Sequence, residues 1–325
     1  LKEFSVKKYT SQDYAKWNEF VTQSHNATFL FHRDFMEYHQ DRFEDYSLFI
    51  ENEKGIIAVL PANKQDSVLI SHQGLTYGGL VSNSPLRLEK AVAVFHAVLQ
   101  FLNEQNIQKL HLKSFPSIYS TSPSQEWEYV VFVLKAQLVR RDALSVVRLK
   151  ETLRLSKDRK EGVKRGIKNE LVCLEVNDCS SFWNEILIPN LSVKHQAKPV
   201  HSLEEITYLK QKFPQQIRQF NVYYKDKLVA GTTIFETENV AHSQYISGNA
   251  LKNELGSLDF LHHHLLTEVF MHKKYFDFGI SNENQGKNIN KGLSYWKESF
   301  GCHTVIHDFY DIDTAQYSLL ENVLL

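Results

Sequence analysis

Three short runs rich in apolar residues, 47–50 (SLFI), 56–60 (IIAVL) and 67–72 (SVLISH), are separated by the polar turns ENEKG and ANKQD. That pattern predicts an antiparallel meander, because strand-like runs bounded by Gly, Asn and Asp favour reversal of the chain. The same arrangement returns at 220–224 (FNVYY), 228–235 (LVAGTTIF) and 240–247 (VAHSQYIS), joined by KDK and ETEN. Aligning Ile56 with Leu228 sets the copies 172 residues apart. Each meander is followed by an amphipathic helical pattern, 88–104 and 257–271, and then by a short strand, 109–115 and 275–281. Each is preceded by a helical stretch carrying Trp-Asn-Glu, at Trp17-Asn18-Glu19 and Trp183-Asn184-Glu185, and by a second helical stretch. A shared order over about 120 residues predicts two copies of one α/β unit: helix, helix, three antiparallel strands, helix, strand, helix, final strands.

The expected division is 1–147 and 148–325, with the seam near 145–170. From Arg148 to Lys168 there are nine Lys or Arg against three Asp or Glu, which predicts an exposed helix opening the second copy. Such a helix is a solvated face with i,i+4 pairs or a cationic rim for a phosphate-bearing substrate. At 325 residues the chain is comfortable for two domains, and 42% hydrophobic residues with only 7 Pro describe an ordered globular protein. Lys plus Arg (37) nearly balance Asp plus Glu (38), which speaks against DNA as a partner. Cys173, Cys179 and Cys302 form no CxxC pair and are expected as free thiols of a cytoplasmic protein. The start, LKEFSVKKYTSQDY, has no apolar signal region, and the longest apolar span, 91–102, is too short for a bilayer.

Two tempting motifs lead nowhere. The DFG at 277–279 has the letters of a kinase magnesium site, but no HRD-like element, GxGxxG or GxxxxGK[ST] accompanies it. His262, His263 and His264 are consecutive; on a helix they point about 100° apart and cannot converge on one ion, so no metal is expected.

The informative stretch is the one that follows, FDFGISNENQGKNINKGLSYWKESFG from Phe276. Gly279, Ser281 and Glu283, then Asn290, Gly292, Leu293, Trp296, Lys297, Phe300 and Gly301 resemble the signature of the FemAB-like branch of the GNAT acyltransferase superfamily. SHQGLTYGGL at 71–80 resembles the glycine-bearing strand end in the first domain of such proteins, and 154–168 the start of their second. The resemblance implies an α/β (α+β) fold of two tandem GNAT-like domains, each a mixed, mainly antiparallel sheet flanked by helices.

It also implies a transferase. In a GNAT-like domain the strands before and after the major helix, here 240–247 and 275–281, splay apart and expose backbone groups to an acyl donor. Gly256 and Ser257 then become the expected cradle for a pyrophosphate at a helix N-terminus, with Ser247 at the adjoining strand end; the turn reads NELGSL and carries Glu254. The reaction is attack of an amine on a thioester or ester through an oxyanion. Lys297 is expected to stabilise charge, Glu283 to act as base or grip the acceptor amine, and Tyr245 to donate to the leaving group. A spacing of three along one strand sets His242 and Tyr245 on opposite faces, so that only one lines the cleft. Ser281 and Asn290 complete the acceptor side. The first copy lacks the tail motif; its expected role is to shape the acceptor site, with Arg33, Tyr77 and Gly78 facing a groove.

The first expectation for function is an N-acyltransferase using acyl-CoA, acetyl-CoA above all, on an amino sugar or other cell-envelope or polysaccharide precursor, nucleotide-linked or lipid-linked. The alternatives are a FemAB-type transferase that takes an amino acid from aminoacyl-tRNA to a peptidoglycan precursor, and a non-catalytic binding protein with degenerate domains.

Overall fold

The computed structural model describes residues 4–195 and 197–323. Its strands are β1 (Ser5–Lys8), β2 (Glu44–Asp45), β3 (Leu48–Asn52), β4 (Gly55–Leu60), β5 (Asn63–Gln65), β6 (Val68–Ile70), β7 (Val81–Ser82), β8 (Lys109–Lys113), β9 (Gln137–Arg148), β10 (Val172–Val176), β11 (Ile217–Tyr224), β12 (Lys227–Glu236), β13 (Val240–Gly248), β14 (Tyr275–Ile280), β15 (Asn282–Glu283), β16 (Asn288–Ile289) and β17 (His303–Asp313). The α-helices are α1 (Tyr14–Thr22), α2 (Arg33–Met36), α3 (Leu88–Glu104), α4 (Glu126–Val133), α5 (Lys157–Lys168), α6 (Ile188–His195), α7 (Leu203–Lys212), α8 (Lys252–Leu255), α9 (Ser257–His264) and α10 (Lys291–Glu298). Two compact units result. Unit 1 runs to Asp142 and takes in Gln285–Lys287 and the segment from Ile306; unit 2 is Ala143–Asn284 with Asn288–Val305. Strands β9 and β17 each begin in one unit and end in the other.

In unit 2 the strand order is β10-β11-β12-β13-β14-β9. All neighbours are antiparallel except β13 and β14, which run parallel. The helical pattern expected over 257–271 is realised as α9 followed by a π-helical turn, Leu265–Val269. Its apolar side closes on Phe220, Val222, Phe276, Phe278 and Phe300 to form the core. Full burial of each such ring contributes about 1.5–3 kcal/mol. On the opposite sheet face Trp183 is wholly buried and meets the Tyr245 ring edge-on at 5.0 Å.

The basic stretch does form a helix, α5, with the Ser156 hydroxyl accepting a bond from the Arg159 amide at 3.3 Å. It is not a simple solvated rod. Gly162 and Gly166, one turn apart, both meet α9: a Cβ on Gly162 would lie 1.8 Å from Asp259 Oδ2, and one on Gly166 2.5 Å from Phe260 Cβ. The two helices therefore touch through glycine, Arg159 bridges them by bonding Asp259, and the other Lys and Arg side chains of α5 are exposed.

Unit 1 departs from the meander expected of it. β3 and β4 pair as predicted, but β6 pairs with β5 and β8, and the strand beside β4 is β7. Pro61 follows β4 directly and has no N–H to donate, so the ladder cannot continue through it. Unit 1 thus holds one set in the order β1-β3-β4-β7 and another in the order β17-β8-β6-β5-β2. Helix α3 lays Val92, Val94, Phe95, Val98, Leu99 and Leu102 into its core, against Leu60, Leu110, Ile312 and Leu320. Trp17 is fully buried, its Nε1 donating to the Phe31 carbonyl at 2.8 Å.

Candidate functional site

The strands β13 and β14 stay paired over three positions only, from Val240–Tyr275 to His242–Asp277, and then part. Each is irregular where it leaves the other. Along β13, Thr233 opposes Tyr245 and Ile234 opposes Ser243, so Gln244 is an extra residue. A bulge of this kind resets the alternation of faces. His242, opposite Phe235, and Tyr245, opposite Thr233, therefore share one face. This corrects the expectation from their spacing that they face opposite ways. Along β14, Asp277 opposes Val146 and Ile280 opposes Leu144, which leaves two residues against one. Gly279 sits there at φ +72°, a left-handed conformation that glycine adopts without strain.

The tail motif folds back on this irregular strand end. Asn290 caps α10, its Oδ1 accepting from the Leu293 amide at 3.1 Å, while its Nδ2 donates to Glu283 Oε1 at 3.0 Å. The Asn290 amide in turn donates to the Ser281 carbonyl at 2.9 Å. Lys297, only 4% exposed, lies near the other end of α10. Its Nζ donates to the carbonyls of Ile280 at 2.6 Å and Gly279 at 3.2 Å. Burial pulls the Lys297 ammonium down to about 8, against the opposing pull of Asp277. Asp277 is fully buried; one carboxylate oxygen accepts from the Gly279 amide at 2.7 Å and the other lies 3.0 Å from His242 Nδ1. Lys297, Ser281, Glu283 and Asn290 are thus gathered around the end of β14.

Beside them unit 2 contains a cleft of about 940 Å³, walled by α5, α6, the end of β13, α8, α9 and α10. Ser247 lines it, its hydroxyl accepting from Asn190 Nδ2 at 2.8 Å; the same Nδ2 donates to the Gly248 carbonyl at 2.7 Å. Trp296 lines it too, and its Nε1 donates to Asp259 Oδ1 at 3.0 Å. Arg159 reaches the same oxygen at 2.6 Å. Burial raises the Asp259 carboxyl even so, with Arg159 and Trp296 pulling it back. Arg165 and Lys252 add positive charge to the wall.

Gly256 and Ser257 are not in that wall. Gly256 is left-handed at φ +68°, and a Cβ there would come within 2.1 Å of the Gly162 carbonyl oxygen of α5; Ser257 is completely buried. Tyr245 is likewise interior, its hydroxyl 2.6 Å from His201 Nδ1, and burial pushes it up to about 12.

The three candidates of the first copy are buried in unit 1. The Arg33 guanidinium stacks 3.8 Å over Tyr9 and donates to Glu37 at 2.8 Å, to Ser47 at 3.2 Å and to Asp45. The Tyr77 hydroxyl is 2.9 Å from Thr28 Oγ1, and Gly78 lies so close to the Ser71 carbonyl that a Cβ would stand 1.8 Å from its oxygen. Among the described residues no group of three or more His, Cys, Asp or Glu is placed to hold a metal ion, and no helix is long and apolar enough to cross a membrane.

Sequence reasoning missed His242 with Asp277, Asn190 with Ser247, and Arg159 with Asp259. The members of these pairs lie 35, 57 and 100 residues apart, and only strand register or helix packing brings them together.

A sheet whose two central parallel strands part, present in a chain of two compact α/β units, is a tandem GNAT-like fold. The crystal structure of FemX superposes with a TM-score of 0.67 at 9% identity, over 98% of this chain and 100% of that one. A tandem GNAT protein from the clavulanic acid biosynthesis pathway gives 0.52 at 12% identity, over 96% and 99%, and L-PGS from Bacillus licheniformis gives 0.56 at 10%, over 89% and 95%. At such identities the likeness is one of fold. Neither a protein-family model nor a curated protein matches the sequence.

Proposed function

We propose that unit 2 is an N-acyltransferase, moving an acyl group from an activated thioester or ester to the amine of an amino sugar or similar cell-envelope precursor. The observation that carries this reading is the end of β14, where the neighbouring strand departs and a buried ammonium is fixed beneath two carbonyls. The parted strands offer backbone groups to an extended donor. Lys297 has a third N–H beyond the two it spends on carbonyls, and fixed positive charge in a dry setting favours a developing oxyanion or leaving group. In this reading Glu283, steadied by Asn290, grips the acceptor amine, and the Asn290 amide ties the same loop to the Ser281 carbonyl.

The donor assigned first is acyl-CoA, acetyl-CoA in the simplest case. With Gly256 and Ser257 covered by α5, its diphosphate falls to Arg165 and Lys252 on the cleft wall, and the Asn190–Ser247 pair faces the acyl arm. A second reading, transfer from aminoacyl-tRNA, is favoured by the same cover, since an aminoacyl ester needs no diphosphate seat. Isothermal titration with acetyl-CoA and with free CoA tests the first. Micromolar binding that Lys252→Glu weakens supports it; absence of binding to any acyl-CoA removes it. Amine-dependent deacylation of an aminoacyl-tRNA would then support the second.

A further inference from the structure

The parting of β13 and β14 leaves one pair of side chains at its apex, His242 and Asp277, directly opposite each other in register. Asp277 is fully buried and both its oxygens are engaged, one by the Gly279 amide at 2.7 Å and one by His242 Nδ1 at 3.0 Å. A carboxylate only accepts hydrogen bonds, so Nδ1 must carry a proton, and in the neutral imidazole the lone pair then lies on Nε2. The imidazole is 13% exposed while its partner carboxylate is 1% exposed, so His242 is the member of the pair nearer the surface. Nothing in the fold requires this pair: a β-strand interior is satisfied by its ladder, and an apolar pair at these positions would avoid burying a carboxylate. The irregularity at Gly279 serves it in two ways. The turn of β14 at Gly279 brings an amide onto Asp277, and the Gly279 Cα leaves room for the ring, since a Cβ there would stand 3.3 Å from His242 Cε1.

We infer that His242 is the proton acceptor for the incoming amine and that Asp277 is the positioning residue that fixes its tautomer, an inference that rests on the acyl-transfer reading above. An amine acceptor arrives as an ammonium, which has no lone pair. Nε2 of His242 takes one N–H proton and the nitrogen lone pair is freed. That pair forms the new C–N bond at the donor carbonyl, and the C–S or C–O bond to the leaving group then breaks. The nitrogen's surplus proton passes to the departing sulfur or oxygen, and the imidazolium gives its own to water. The balance is one ammonium and one activated acyl group in, and one amide, one thiol or alcohol and one proton out.

The test compares two acceptors near neutral pH: ethanolamine, which is protonated there, and hydroxylamine, which is not. Acetyl-CoA and an aminoacyl-tRNA are supplied as donors in parallel, and the acylated product is measured. His242→Gln keeps a side-chain N–H for Asp277 but cannot take the proton. It is expected to slow transfer to ethanolamine by roughly 10²–10⁴-fold while transfer to hydroxylamine stays within about tenfold of wild type. Asp277→Asn still accepts from the Gly279 amide, but its NH₂ group turns toward Nδ1 and forces the proton onto Nε2. The same acceptor-dependent loss is expected, with an unchanged thermal midpoint for His242→Gln as the check that the unit is folded. Equal losses for both acceptors would reduce the pair to a structural role, and no loss with ethanolamine would remove His242 from the proton's path; either overturns the inference. Absence of any transfer by the wild type, from either donor to either amine, overturns the acyl-transfer reading itself and the role of the dyad with it.

Discussion

Replacing Gly256 by alanine should separate α5 from α9 and lower the stability of unit 2 measurably. At φ +68° any residue with a Cβ is in the left-handed region, which costs about 1–2 kcal/mol. The added Cβ would also stand 2.1 Å from the Gly162 carbonyl oxygen, nearly an ångström inside the closest approach such atoms tolerate. That oxygen belongs to a helix backbone, so the contact is relieved only by moving α5 as a body. Overpacking of this sort costs about 1–3 kcal/mol. Together the loss is about 2–5 kcal/mol. With a urea m-value of about 2 kcal/mol/M, the unfolding midpoint should fall by about 1–2.5 M, followed by circular dichroism. Gly256→Asn separates the two causes, because asparagine tolerates the left-handed conformation but still carries the Cβ. If the contact with α5 dominates, both variants fall together; if conformation alone matters, asparagine recovers most of the loss. A midpoint within about 0.3 M of wild type for Gly256→Ala would refute the packing account. Since α5 also walls the cleft, the variant should bind donor more weakly as well.

Lys297→Met keeps the volume of the buried side chain but removes its charge. It is expected to lower kcat by about 10²-fold or more while changing donor affinity far less, and equal losses in both would contradict the role given to Lys297. His262 is wholly buried among Phe276, Phe278, Trp296 and Phe300, its Nδ1 donating to the Leu258 carbonyl at 2.8 Å, and burial lowers its imidazole to about 4. The unfolded chain takes up that proton near 6.5, so the stability is fully present above that pH. It is lost as pH falls toward 4, by about 3 kcal/mol in all. In urea unfolding from pH 7 to 4, His262→Phe should flatten this slope; an unchanged slope would place its origin elsewhere.

The repeat was legible because it lives in local pattern. Strand runs at 228–235 and 240–247, helix 88–104 and the Trp17 and Trp183 anchors are each set by apolar spacing, and all appear where that spacing puts them. What failed to show in the sequence depends on distant partners. Gln244 looks like any strand residue, and only its pairing with β12 reveals the bulge that turns His242 and Tyr245 to one side. Gly256-Ser257 has the letters of an open helix N-terminus, but Gly162 and Gly166, some ninety residues earlier, bring α5 down over it. Arg33 was expected to face a groove; Glu37, Asp45 and the Tyr9 ring, which only the fold brings around it, take up its guanidinium instead. Pro61 was visible all along, and its missing donor accounts for the broken meander of unit 1.

The segment from Ile306 returns to unit 1, where Ile312 and Leu320 fill the core against α3 and β17 pairs with β8. On the ribosome, the first unit must therefore wait: some 160 residues of the second are made before its last strand emerges. The second unit can gather most of its own sheet in that interval, so the later-made half is positioned to fold first. Chaperones that shield nascent apolar surface would be needed for the half that leaves the tunnel earlier.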